Sequence, residues 1–310
     1  MNNPAGRRPR RTLDGLLLLD KPSGMTSNAA LQRVKWLYQA RKAGHTGSLD
    51  PLASGMLPIC FGEATKFAGY LLDANKIYRV QARFGIRTDT GDSEGREVET
   101  SLRDPVLLPE LRQAVSALRG PIQQIPPMYS ALKQQGQRLY TLARAGRQVP
   151  REPRPVHIFE FDIEAYDPTT PVFRVRCSKG TYIRTLVEDL ATRLGTLAHV
   201  IALRRLAVEP FGDQAMISLP QIEAGAGAGL EQDLVALDRL LRPLEAVLPN
   251  WPAVELDAPA ALRVSQGGLV VAPSGNLPGS VRLYGPGHLF LGVGEVQSDR
   301  LVAPRRLVAR

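Results

Sequence analysis

The sequence predicts an α+β fold followed by a small β-rich domain, and three observations carry that reading. Some segments alternate apolar and polar residues at the strand period of two, such as Tyr78, Val80, Ala82 and Phe84 against Ile77, Arg79, Gln81 and Arg83. Others carry an apolar stripe at the helical period, most clearly Ile183, Leu186, Val187, Leu190 and Leu194. After Trp251 lysine disappears, glycine becomes frequent and the apolar runs turn short. A length of 310 residues suits two domains at a prior of roughly 150 residues each.

In chain order, residues 27–42 read as a helix, with Leu31, Val34 and Tyr38 on one face and Arg33, Lys35 and Arg41 off it. A glycine-rich loop follows, then MLPICF as a strand. Residues 77–84 are the alternating strand. Residues 109–119 form a helix through Leu111, Val115 and Leu118, stopped by Gly120. Residues 133–154 hold six basic residues and one acid, broken by glycine and proline, and suggest a mobile basic flap around a short helix at 139–145. Strands are expected at 156–165, where Phe159, Phe161 and Ile163 alternate with acids, and at 172–177. Residues 181–194 are the clearest helix, ended by Gly195. EAGAGAGLEQD reads as a flexible acidic connection, and residues 234–248 as a helix before the boundary. Short strands are expected at 281–284, 289–293 and 301–308. The domains are set at 13–249 and 250–310, after a disordered basic tail at 1–12.

The net charge is +9 and unevenly placed. Residues 251–310 hold six arginines against four acids, and residues 213–250 two against six, so the excess sits in residues 1–212. A basic surface of this kind suits a polyanion, because lysine and arginine release counterions from phosphates. Cys60 and Cys177 read as buried thiols in a reducing cytoplasm. The four histidines show no zinc-ligand spacing, so no metal is expected. No apolar run nears the roughly 18 residues of a membrane span, and MNNPAGRRPRRT lacks the apolar block of a signal peptide.

Residues 44–66, GHTGSLDPLASGMLPICFGEATK, are the most informative segment. They present Asp50 from a loop with three glycines, and Pro51 biases Asp50 toward extended backbone. Local chemistry leaves two readings open: Asp50 as the N-cap of a short helix with Pro51 at its first position, or Asp50 as a catalytic carboxylate. GDSEG (91–95) matches the serine-hydrolase elbow in letters, but no helical stripe follows, so a surface turn is expected. SALK (130–133) lacks its partner motifs, and TDTGDSEG puts Gly91 at a calcium-ligand position.

Residues 44–66 and LLLLDKPSGMTS (16–27) closely resemble the bacterial TruB-type tRNA pseudouridine synthases. Further matches are KIYRVQARFGIRTDTGD (76–92), PPMYSALKQQG (126–136), CSKGTYIRTL (177–186) and AHVIALRRLAV (198–208). They stand in the family's order over most of residues 15–210. The resemblance implies a pseudouridine-synthase fold with a large mixed, mostly antiparallel sheet. It also implies, more weakly through GEVQSDRLVAPRRLV, a PUA-like RNA-binding domain at the end. The implied activity is isomerisation of uridine 55 in the T loop of tRNA, with no cofactor. The implied catalytic residue is Asp50, as nucleophile or as base at C2′, with Arg184 as its charge partner. Tyr78 is implied to lie against the uracil, His45 to fill the vacated stack, and Tyr182 and Leu203 to line the pocket; Lys21 falls near the site. The partner expected is the tRNA T stem-loop, and the chain is taken as a cytoplasmic monomer. The alternative is an RNA-binding or RNA-folding protein with secondary catalytic activity.

Overall fold

The computed structural model describes residues 10–309 except 104, 131, 135, 213, 227–232, 273–276, 278 and 298–299. The expected tail lies outside the described residues through residue 9, as does most of the glycine–alanine connection. Arg11 is already anchored, since its guanidinium pairs with Asp238 and its backbone N–H donates to Gln39 O.

The chain runs β1 (Gly15–Lys21), α1 (Ser27–Leu37), β2 (Ala43–His45), β3 (Ser54–Phe61), a 3-10 turn (Gly62–Lys66), α2 (Ala68–Leu72) and β4 (Lys76–Phe84). It continues with β5 (Ile86–Thr88), β6 (Glu97–Thr100), α3 (Leu108–Ser116) and β7 (Gly120–Gln124). The basic segment contributes β8 (Lys133–Gln134), β9 (Gln137–Arg138) and α4 (Leu139–Arg144). Then come β10 (Arg154–Ala165), β11 (Val172–Cys177), α5 (Ile183–Arg193), β12 (Ala198–Val208), β13 (Ile217–Ser218), α6 (Leu219–Gly225) and α7 (Leu234–Asp238). A second 3-10 turn (Leu244–Val247) leads to β14 (Ala253–Glu255), α8 (Ala258–Ser265), β15 (Val270–Val271), β16 (Ser280–Gly285), β17 (Leu289–Val296) and β18 (Leu301–Leu307).

Nine strands form the main sheet in the order β13-β1-β3-β12-β4-β11-β10-β7, with β2 paired to β3. Among the described residues β1–β13 and β3–β12 are parallel and the other pairings of this sheet antiparallel, so the sheet is mixed and mostly antiparallel. The strand period decides its faces. Tyr78, Val80, Ala82 and Phe84 are buried on β4, while Arg79 and Arg83 are exposed. That buried face meets α3 and α5 in a core through Phe161, Phe173, Leu186 and Leu190. Burying each such side chain contributes about 1.5–3 kcal/mol. The run Leu16–Leu19 is buried on both faces. Leu17 and Leu19 pack under α1 and α6, whereas Leu16 and Leu18 pack with Phe67 and with Tyr284, Phe290 and Val293 of the C-terminal part. A strand covered on both sides reads as a continuous apolar run, as LLLL does.

The C-terminal residues form a five-stranded sheet, β14-β16-β17-β18-β15, with α8 packed on it. It is tied to the main domain by the shared core and by Lys66 Nζ donating to Leu307 O (3.1 Å). Both cysteines are buried free thiols, and burial pushes each up to about 12.

Three expectations need correction. The helix expected over 27–42 ends at Leu37, where Gln39 takes φ 49° and Ala40 N donates back to Lys35 O. Such a closing turn terminates a helix whatever its stripe. The helix expected over 234–248 stops at Asp238, because Arg242 leaves it to exchange backbone hydrogen bonds with Leu16 at the edge of β1. GDSEG is a turn with Ser93 and Glu94 exposed as expected, but its Asp92 is buried and bridges to Val200 at the start of β12.

Candidate active site

Asp50 lies in the loop between β2 and β3, and LLLLDKPSGMTS is the clamp on that loop. Leu49 N donates to Ser27 Oγ (2.7 Å), and the same hydroxyl donates to Leu49 O (2.9 Å). Gly24 N donates to Pro51 O (2.8 Å) and Ser23 Oγ to Leu52 O (2.8 Å). Leu49 and Ala53 are buried on either side of Asp50. Ala53 N donates to Asp50 O (3.1 Å), closing a turn, and the strand begins at Ser54. Asp50 therefore heads a turn rather than a helix, and the N-cap reading falls. Lys21 is fully buried at the end of β1. Its ammonium donates to Pro22 O (2.7 Å) and Met25 O (2.5 Å) and reaches Pro51 O (3.5 Å). Burial lowers its pKa to about 8, opposed by the charges of Asp50 and Glu94.

Gly55, at the start of β3, is needed for a close approach. Its φ is +103°, and a Cβ there would sit 2.2 Å from Arg205 O on the neighbouring strand. Only glycine lets β3 and β12 come together at the point where the loop ends.

The Asp50 carboxylate meets Arg184, the second residue of α5. Arg184 Nε is 2.9 Å from Asp50 Oδ2 and 3.7 Å from Asp92 Oδ2. Its Nη1 donates to Thr90 O (2.6 Å) and its Nη2 to Tyr129 O (2.7 Å). Asp92 Oδ1 in turn accepts from Thr90 Oγ1 (2.6 Å) and Glu94 N (3.1 Å). The arginine side chain is 4% exposed and that of Asp92 5%, whereas Asp50 is 38% exposed. One cation thus faces two carboxylates, and only Asp50 opens to solvent. Burial raises the Asp50 pKa, Arg184 pulls it down through charge and hydrogen bond, and Asp92 pushes it up. A nearby opposite charge favours the ionised form of a carboxylate and so offsets part of that rise. Among the described residues no group of three or more His, Cys, Asp or Glu could hold a metal ion. Nor is any described helix long and apolar enough to cross a membrane.

The other expected residues are placed around this pair. Tyr78 is buried on β4, directly opposite Arg205 of β12, and burial raises its phenol pKa. Leu203, opposite Val80, packs in the same core as Leu49, Ala53 and Tyr78. Tyr182 precedes α5 and is pinned through its backbone, its N–H donating to Gln124 Oε1 (3.0 Å) and its carbonyl accepting from Gln124 Nε2 (3.3 Å). His45 sits half-buried on β2 at the base of the loop, opposite Ile59. Beside the loop is a depression of about 190 Å³, lined among others by Ser23, Leu52, Ser54, Arg79 and Leu203. Tyr129, a few residues before the basic segment, meets this site through its carbonyl on Arg184, and Leu139 and Leu142 of α4 within that segment are buried.

Two residues here escaped the sequence reading. Asp92 was hidden in a turn motif; the threonines of TDTGD, suited to turn hydrogen bonds, were its faint signal. Arg205 is 1% exposed in the second arginine position of LRRLAV. It falls on the buried side of a strand with Leu203, and an arginine at an inward position is itself a signal.

Comparison with known proteins places these features in a family. The model of the TruB family pseudouridylate synthase N-terminal domain matches residues 35–183. The tRNA pseudouridylate synthase B C-terminal domain model matches residues 184–249, and that of the pseudouridine synthase II TruB C-terminal region residues 252–308. The chain is 50% identical over 304 residues to the tRNA pseudouridine synthase B of Ectopseudomonas mendocina (strain ymp), covering 97% of each. It is 51% identical over 296 residues to that of Nitrosococcus oceani, covering 96% of this chain and 95% of the relative. Among solved structures, a chain of a Cbf5-Nop10-Gar1 complex superposes with a TM-score of 0.69 at 25% identity, covering 92% of this chain and 79% of that one. A chain of an H/ACA RNP bound to a substrate RNA containing 2'-deoxyuridine gives 0.71 at 22% identity, covering 96% and 85%, which shows a shared fold. With half of its residues shared across nearly its whole length, the chain belongs to the TruB family of pseudouridylate synthases.

Proposed function

We propose that this pseudouridylate synthase takes tRNA as its substrate and converts uridine 55 of the T loop to pseudouridine, with Asp50 as the catalytic carboxylate. The reaction breaks the C1′–N1 bond, turns the uracil and joins C5 to C1′. The proton on C5 leaves and N1 gains one, so atoms and electrons balance within the nucleotide. Asp50 acts as an ionised carboxylate, attacking C1′ or taking the C2′ proton, and Arg184 keeps it charged and aimed. Extruding the base costs a few kcal/mol, and stacking on an aromatic ring returns about 1–3 kcal/mol. Tyr78 is the ring for that role, with Leu203 and Tyr182 lining the pocket and His45 filling the gap in the RNA stack. Lys21 supports the loop through Pro51 O. The basic excess of residues 1–212 meets the phosphates, and the C-terminal β-domain, 250–310, extends the RNA surface in the manner of a PUA domain. Such a substrate places the work in the cytoplasm, and the chain acts as a monomer.

The observation that carries this reading is the Asp50–Arg184 pair, in which a buried arginine with every nitrogen engaged holds out one solvent-facing carboxylate. The test is tritium release from a T-loop transcript carrying 5-tritiated uridine. Wild type should release tritium, whereas Asp50→Asn should bind the transcript and release none. Undiminished release by Asp50→Asn would remove Asp50 from the chemistry.

A further inference from the structure

Arg205 heads the described side chains that are both large and fully buried, and none of the steps above uses it. Its hydrogen-bond partners are uncharged. Nε donates to Met56 O (2.6 Å) on β3, and Nη2 donates to Gly47 O (3.0 Å), three residues before Asp50. Tyr78 lies directly opposite Arg205 across the β4–β12 ladder, and the charge of the guanidinium opposes the rise that burial causes in its phenol pKa. On its other side Arg205 is in register with Gly55, where β3 and β12 touch. One planar group therefore bonds two separate pieces of chain, the start of β3 and the carboxylate loop, and sits opposite the ring on β4.

Packing alone does not call for an arginine here. A buried guanidinium is expensive to desolvate, and an apolar side chain of similar volume fills such a space at lower cost. What an arginine adds is direction, because its rigid fork points several donors along fixed lines in one plane. Nε sets the position against β3, and Nη2 then sets the height of the loop that carries Asp50. The place of Arg205 directly across the ladder from Tyr78 sets that ring against the same frame. A β-bulge between Arg205 and Ala207 re-aims the strand at this point.

We propose that Arg205 is a positioning residue for the isomerisation, fixing the distance and angle between the Asp50 carboxylate and the Tyr78 ring. It touches neither the base nor the sugar; it acts through Gly47 and Tyr78. The inference rests on the reading of Asp50 as catalytic carboxylate and Tyr78 as stacking ring. It differs in kind from the role of Arg184, which contacts the carboxylate itself.

The test compares wild type, Arg205→Lys and Arg205→Met by single-turnover tritium release at saturating enzyme, tRNA affinity by filter binding, and melting temperature. Lysine keeps the charge but cannot bond Met56 O and Gly47 O along the fixed lines of one plane. A misplacement of about 1 Å costs on the order of 100-fold in rate. Arg205→Lys should therefore lose about 10- to 100-fold in the single-turnover rate, with tRNA affinity within about threefold of wild type. Combined with Tyr78→Phe, which removes the phenol on the residue that Arg205 faces across the ladder, the losses should be smaller than the product of the single losses. Wild-type rate in Arg205→Lys, a rate loss matched by the unfolded fraction, an equal loss of affinity, or strictly multiplicative losses would each overturn the proposal. If Arg205→Met does not fold, Arg205→Lys decides. Asp50→Asn run alongside separates the two readings. Release by Asp50→Asn refutes the carboxylate assignment, whereas no release together with unimpaired Arg205 variants refutes only the role of Arg205.

Discussion

Replacing Arg184 by methionine removes the one cation between Asp50 and Asp92 while keeping much of the side-chain volume. The two charges of the Asp50–Arg184 pair are 2.9 Å apart at their nearest atoms. With an effective dielectric near 20, that separation corresponds to about 5–6 kcal/mol. Asp50 is 38% exposed, so solvent screens roughly half of this, leaving about 2–3 kcal/mol. If that attraction is what holds the carboxylate ionised and aimed, Arg184→Met should lose about 30- to 150-fold in single-turnover tritium release at neutral pH. The pH profile adds a signed check. Burial already raises the Asp50 pKa and Arg184 opposes the rise, so without the arginine the carboxyl protonates at higher pH. The acid limb of the profile should therefore move to higher pH, and part of the lost rate should return as pH increases. Arg184→Lys should fall between, because it keeps a charge but not both carbonyl contacts to Thr90 and Tyr129. A rate within threefold of wild type with an unmoved acid limb would show that the ion pair does not govern the reaction.

Further tests address the neighbouring charge, the glycine contact and the core. Asp92→Asn removes a negative charge that raises the Asp50 pKa, so the acid limb should shift to lower pH even where the maximal rate falls. Gly55→Ala would place a methyl carbon 2.2 Å from Arg205 O at φ +103°, and should cost several kcal/mol in urea unfolding or prevent folding. Phe173→Ala empties a fully buried site against Phe161, whose ring centroid is 5.3 Å away, and should cost about 3–5 kcal/mol. An unchanged unfolding midpoint in either variant would contradict the packing described.

Much of the fold was legible in the sequence because strand and helix periods record which face is buried. The alternation over residues 76–84 and the stripe over 183–194 mark sides that the structure buries against each other. The LLLL run, which entered the sequence reading only as part of a motif, is a strand covered on both faces. Element ends were less legible. The helix at 234 stops short because Arg242 pairs with Leu16, a contact more than two hundred residues away in sequence that no local window contains.

The same division holds at the site. The sequence by itself determined the family, through ordered motifs, and singled out Asp50, Arg184 and Tyr78 as residues to watch. Only the tertiary structure decided how they are held. It put the Asp92 carboxylate beside the same Arg184 Nε that Asp50 meets, drew β12 against Gly55 so that Arg205 reaches the loop, and turned LLLLDKPSGMTS into a clamp on Leu49 and Pro51. The physical reason is range. Periodicity and turn chemistry act over a few residues, whereas the charge on Asp50 depends on groups that meet only when distant strands and loops are packed together.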